Sequence, residues 1–100
     1  MSEKISEIIK KRIEFAGARY WANDNISEFI EENEKQQLIE ELSEKFEGVL
    51  DSLVIDRKND PNTHNTGKRL AKMYVKELMA GRFEKPPNAT SFPKKKKNAY

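Results

Sequence analysis

The sequence predicts an all-α fold, a small antiparallel helical bundle with an extended basic C-terminal tail, and three observations predict it. Three separate stretches carry apolar residues at the three-and-four spacing that gathers side chains on one face of a helix. Polar segments broken by Gly, Asn or Pro lie between them, where antiparallel helices are joined. Beyond Gly81 the helical pattern gives way to Pro86, Pro87, Pro93 and the run Lys94 to Lys97. The chain therefore divides into a helical region over residues 1–81 and a Pro- and Lys-rich linker or tail over residues 82–100.

The first helix is expected from Ser2 to about Ala16, with Ile5, Ile8, Ile9, Ile13 and Ala16 along one face. Glu3 and Glu7 near its start and Lys10, Lys11 and Arg12 further on suit the helix dipole. Gly17 either ends this helix or lets it fray into Tyr20 and Trp21, because a mid-helix glycine costs about 1 kcal/mol relative to alanine. Tyr20 and Trp21 read as a hydrophobic anchor between helices in preference to a ligand platform.

Asn25 followed by Glu28 fits a capping box and predicts a short helix carrying Ile26, Phe29 and Ile30. Asn33 with Gln36 repeats the signal. From there Leu38, Ile39, Leu42, Phe46, Val49, Leu50 and Leu53 keep helical spacing to about Val54, which predicts the longest helix of the chain. Glu31, Glu32, Glu34, Glu40, Glu41, Glu44 and Glu47 read as a solvated face, not a cation site. Asp56 to Asn65 reads as a loop, and its His64, the only histidine, as a surface residue.

The last helix is the one that the others are organised around. Thr66 offers a hydroxyl cap, worth about 1 kcal/mol over alanine. Leu70, Met73, Tyr74 and Leu78 form its expected apolar face, and Gly81 is expected to close it in a left-handed conformation. Lys68, Arg69 and Lys72 in its first turns have a phosphate-binding reading. No Gly-rich cradle accompanies them, so solvent-facing positions or pairing with the acidic half is preferred.

A net charge of +2 conceals a division. Residues 1–65 hold 9 Lys and Arg against 15 Asp and Glu, and residues 66–100 hold 10 against 2. Opposite halves attract each other or neighbouring copies, and charge alone does not choose between them and a phosphate partner. Nucleic-acid binding has only this charge behind it, since the aromatic residues Tyr74, Phe83, Phe92 and Tyr100 form no obvious stacking platform. With no cysteine, the chain has neither disulfides nor a cysteine-ligated metal site. No apolar run approaches the roughly 20 residues of a membrane span, and Glu3 is foreign to a secretory signal, so a cytoplasmic location is expected.

The order Thr66, Lys68, Arg69, Ala71, Lys72, Met73, Tyr74, Val75, Glu77, Leu78 and Gly81, preceded by Asp60 and followed by Thr90, Ser91, Phe92 and Pro93, resembles the N-terminal region of GTP cyclohydrolase I. The phage and bacterial forms are the most similar. Where this chain has Gly67 that family usually has proline, a residue suited to the first helical position.

The resemblance implies a helical region that leads, in the full-length family, into a sheet domain of the tunnelling fold and a ring-shaped homo-oligomer. It also implies an activity for the intact enzyme, conversion of GTP and water to 7,8-dihydroneopterin triphosphate and formate in pterin and folate biosynthesis. The family's zinc ion, held by two cysteines and a histidine, activates the water. All the family's catalytic, zinc-binding and GTP-binding residues lie downstream of the matched stretch. The resemblance therefore assigns no catalytic, cofactor-binding or metal-ligating residue to this chain. The expectation is the N-terminal portion of a GTP cyclohydrolase I, as a fragment, a shortened product or one piece of a split enzyme, inactive alone. The alternative is a helical assembly or regulatory module that binds full-length cyclohydrolase subunits.

Overall fold

The computed structural model describes residues 3–85, and every regular element in that range is helical. Helix α1 spans Ile5–Phe15, α2 Glu34–Ser52 and α3 Thr66–Met73. A π-helical stretch, Tyr74–Leu78, carries α3 on towards the short helix α4, Ala80–Phe83. Two 3₁₀ turns, Ser27–Phe29 and Pro61–Thr63, interrupt the connections.

Helix α2 is the centre of the bundle. Ser6 of α1 meets Glu41 while Arg12 meets Glu34, so α1 lies antiparallel to α2. Gly67 lies beside Ser43 and Glu47, and Ala71 and Val75 pack with Ile39, so α3 is antiparallel to α2 as well. Between α1 and α2 the core is aliphatic, formed by Ile5, Ile9, Ile13, Ile26 and Ile30. A second cluster, Ile39, Ala71 and Val75, joins α2 to α3, and Phe83 packs against both. Each fully buried aliphatic side chain contributes about 1.5–3 kcal/mol relative to exposure, so burial of these faces is the main force holding the helices together.

Gly17 resolves the question at the end of α1. With φ of +70° it takes the left-handed conformation, its N–H donates to the Glu14 carbonyl at 3.0 Å and that of Ala18 to Ile13 at 3.0 Å. These two bonds form a Schellman motif and end the helix. Ala16, expected on the apolar face, is exposed. Tyr20 packs against the isoleucine cluster, as an anchor should. Trp21 does not, since it is 68% exposed with the Arg19 guanidinium 4.2 Å from its ring centroid.

The same motif closes α2 with a different residue. The N–H of Val54 donates to Asp51 and that of Ile55 to Leu50, and Val54 has φ of 64°. A β-branched residue pays about 1–2 kcal/mol in this region. Its side chain is 90% exposed, and no packing offsets the strain.

The helix starts differ from the expected caps. Neither Asn33 nor Asn65, the residues before α2 and α3, makes a side-chain cap bond. At α2 the Glu34 carboxylate instead accepts the Glu31 N–H at 2.9 Å. Thr66 is inside α3, and its hydroxyl donates to the Asn62 carbonyl at 3.4 Å. Asn25 makes no capping box with Glu28. Its Oδ1 accepts from the N–H and hydroxyl of Ser27 at 3.0 and 2.7 Å, an Asx turn that leads into a 3₁₀ turn in place of a short α-helix.

Small residues face α2 from α3. Gly67, Ala71 and Val75 are buried, whereas Tyr74 and Leu78 are 38% and 61% exposed. A Cβ at Gly67 would stand 2.8 Å from Glu47 Cγ and 3.0 Å from the Ser43 carbonyl oxygen, so the two helices approach too closely for any larger residue there. The expected face of Leu70, Met73, Tyr74 and Leu78 is thus displaced towards the rim of this contact. Nor does Gly81 stop the helix; it lies within α4 without a left-handed conformation. The break comes earlier, where the Met79 N–H reaches back five residues to Tyr74 at 2.9 Å. That extra residue in the turn leaves Leu78 outside and brings Phe83 onto the core.

Arg82 and Phe83, expected to be extended, are helical and tied to the loop after α1. The Arg82 guanidinium donates to the carbonyls of Tyr20, Trp21 and Asp24 at 3.2, 2.5 and 3.1 Å. Asn25 donates to the carbonyls of Gly81 and Glu84 at 2.9 and 2.7 Å. The expected extended run over residues 86–93 and the lysine run after it lie outside the described residues.

Candidate docking groove

Leu38, Leu42 and Phe46 are one turn apart on α2, and all three are only partly buried. They are uncovered because α1 packs on one side of α2 and α3 on the other, leaving an opening between them. One rim carries Ser6 of α1, and the opposite wall carries Tyr74, Val75, Met79 and Phe83. The opening is an apolar groove of about 400 Å³. A smaller hollow of about 150 Å³ shares Ser6, Leu38 and Phe83 and extends it towards Ile9, Ile13 and Tyr20. Phe46 and Tyr74 meet across the groove with ring centroids 5.3 Å apart and planes tilted by 30°, within the separation at which aromatic pairs attract.

The polar groups at the rim are satisfied internally. Ser6 donates its N–H and hydroxyl to the two Glu41 carboxylate oxygens at 3.0 and 2.6 Å. Burial works against ionisation of Glu41, but these two bonds and the nearby Lys45 and Lys4 hold its carboxyl below the usual range. Glu34 is buried against Arg12, which donates to it at 2.6 and 2.7 Å. Those bonds outweigh burial and hold its carboxyl low as well. Two of the seven acids expected on a solvated face are therefore polar staples between α1 and α2.

The other candidate positions lie apart from the groove. His64 is exposed and lines an open, charged hollow with Asp51, Asp56 and Arg57. Arg57 there is already paired with Asp51 at 2.7 Å. Among the described residues no three His, Asp or Glu side chains are grouped to hold a metal ion. Lys68, Arg69 and Lys72 are exposed on α3. No helix among the described residues is long and apolar enough to cross a membrane.

What the groove offers chemically is apolar surface in a defined channel, which favours docking over bond-making. Removal of such surface from water contributes about 25 cal/mol per Å². Periodicity alone did not reveal it, because the same spacing fits a covered and an open stripe. The available signal was excess: α2 carries more apolar turns than α1 is long enough to cover. Comparison of the chain with protein-family models, curated proteins and solved structures found no match.

Proposed function

We propose that the chain is a helical assembly module, the N-terminal portion of a GTP cyclohydrolase I of phage or bacterial type, and that it acts by packing against cyclohydrolase subunits. The observation that carries this reading is the open groove over Leu38, Leu42 and Phe46, walled by Tyr74 and Met79. An aliphatic helix face laid into it would complete a four-helix arrangement. The resemblance over residues 66–81 supplies the partner's identity, and the groove supplies the surface.

Turnover by the chain alone is not part of the proposal. The reaction implied by the resemblance uses zinc held by two cysteines, and this sequence has no cysteine. GTP is a ligand of the intact enzyme in this reading, zinc is its metal, and the compartment is the cytoplasm.

The test is co-elution of the chain with a full-length phage or bacterial cyclohydrolase, paired with an assay of formate release from GTP by the chain alone with added zinc. Co-elution that Leu42→Glu abolishes, with no formate from the chain alone, is expected. A chain that ignores the enzyme, or one that retains stoichiometric zinc and releases formate unaided, overturns the reading.

A further inference from the structure

The apolar stripe of α2 changes character along its length. From Leu38 through Leu42 to Phe46 it floors the groove between α1 and the segment after α3. Beyond Phe46 the same face continues as Val49 and, at the residue that caps the helix, Leu53, which are 51% and 64% exposed. One helix thus carries a channel and, beyond it, an uncovered ridge.

We infer that the groove is filled by the α2 ridge of a second copy of this chain, in an antiparallel α2 to α2 pair. Leu42 and Val49 are equidistant from the midpoint between Lys45 and Phe46, and so are Leu38 and Leu53. A two-fold axis at that midpoint therefore places Val49 of each copy over Leu42 of the other, and Leu53 over Leu38. The contact is isologous, with the same residues serving both copies. Four helical turns separate Leu38 from Leu53, or about 22 Å at 1.5 Å per residue, long enough for both halves to engage at once.

The exposed apolar surface suits this occupant. Val49, Leu53, Tyr74 and Leu78 are each more than a third exposed. With the groove floor they present on the order of 500 Å² of apolar surface per copy, or about 1,000 Å² per pair, the size at which a specific interface begins. Apolar patches of about 300–600 Å² on a monomer are often functional surfaces. The inference deepens the assembly reading and rests on it only in treating the groove as an interface. The partner's identity comes from the stripe, not from the resemblance.

The absence of native cysteine permits a direct test. In the full chain, Leu38→Cys combined with Leu53→Cys is expected to give an intermolecular disulfide dimer on mild oxidation, and Leu53→Cys alone little or none. Sedimentation of the unmodified chain is expected to show a concentration-dependent dimer, at least tenfold weaker in Leu53→Glu. Leu53 is exposed enough for this variant to keep its helical circular dichroism; Val49→Glu provides the same reading if it does not. A monomer at every concentration, or a dimer indifferent to both glutamate variants, overturns the inference. Self-association without binding to a cyclohydrolase would retain the inference and defeat the assembly reading. Binding to a cyclohydrolase by a strictly monomeric chain would do the reverse.

Discussion

Arg12 and Glu34 form a two-point pair, with Nη1 to Oε1 at 2.6 Å and Nη2 to Oε2 at 2.7 Å, and the same guanidinium donates to the Phe29 carbonyl at 2.8 Å. One side chain thus fixes α1 to the start of α2 and to the turn before it. Replacement of Glu34 by glutamine leaves the guanidinium without its counter-charge. The expected loss is about 2 kcal/mol, below that for a fully buried pair because the Arg12 side chain is 35% exposed. Urea unfolding of Glu34→Gln beside the parent measures it.

The low carboxyl values of Glu34 and Glu41 give an acid-sensitive fold. A carboxyl whose folded pKa lies below its unfolded value contributes stability that is fully present above the unfolded value of about 4.3 and is lost as pH falls through the folded one. Stability from these two groups is therefore level above about pH 5 and declines below about pH 4.3. Thermal unfolding across pH 3–7 is expected to show this slope, reduced in a Glu34→Gln, Glu41→Gln double variant.

Two glycines in helices predict opposite responses to alanine. At Gly67 the added carbon would meet Glu47 and the Ser43 backbone, so Gly67→Ala is expected to lose about 1–3 kcal/mol by forcing α3 away from α2. At Gly81 nothing stands within 4 Å, and Gly81→Ala is expected to gain about 0.5–1 kcal/mol from helix propensity. Denaturant midpoints for the two variants decide it; equal effects would contradict the close approach.

Val54 predicts a gain on removal of its side chain. The left-handed position closing α2 suits glycine, and the valine there is 90% exposed. Val54→Gly is expected to stabilise the chain by about 1 kcal/mol, read as a rise in melting temperature.

Arg82 predicts a loss that lysine only partly restores. A guanidinium reaches several carbonyls of the loop after α1 with fixed, divergent N–H groups, whereas an ammonium is a compact point donor. Arg82→Ala is expected to cost about 2 kcal/mol and Arg82→Lys about half as much. Hydrogen exchange should quicken first at Ile26, whose N–H donates to the Arg82 carbonyl at 2.8 Å.

The sequence was most legible where a pattern is local. Ile5, Ile9 and Ile13 are the buried face of α1, and the left-handed Gly17 ends it, because helical spacing and the conformational freedom of glycine act within a few residues. Asn33 makes no cap bond, and the local hydrogen bond at this helix start runs instead from the Glu31 N–H to Glu34, which a cap pattern centred on Asn33 does not show. The buried role of Glu34 and Glu41 depends on Arg12 and Ser6, which are far away in the chain. The face of α3 was misassigned because large apolar residues usually mark a core. Here Gly67 and Ala71 let the helices approach and leave Tyr74 at the rim. The groove depends on the gap between α1 and α3, which no periodicity within one helix encodes.

The position of Phe83 and Arg82 has a consequence for biosynthesis. The isoleucine cluster is complete in the chain by Ile30, and Tyr20 and Phe29 already pack on it, yet the last ring to join them, Phe83, and the guanidinium that secures the neighbouring loop come some fifty residues later. At about 5–20 residues per second, a nascent chain waits on the order of several seconds between making the cluster and making its cover. Through that interval the aliphatic face is only partly covered, and a product that ends before Phe83 lacks both that ring and the Arg82 clasp on the loop after α1.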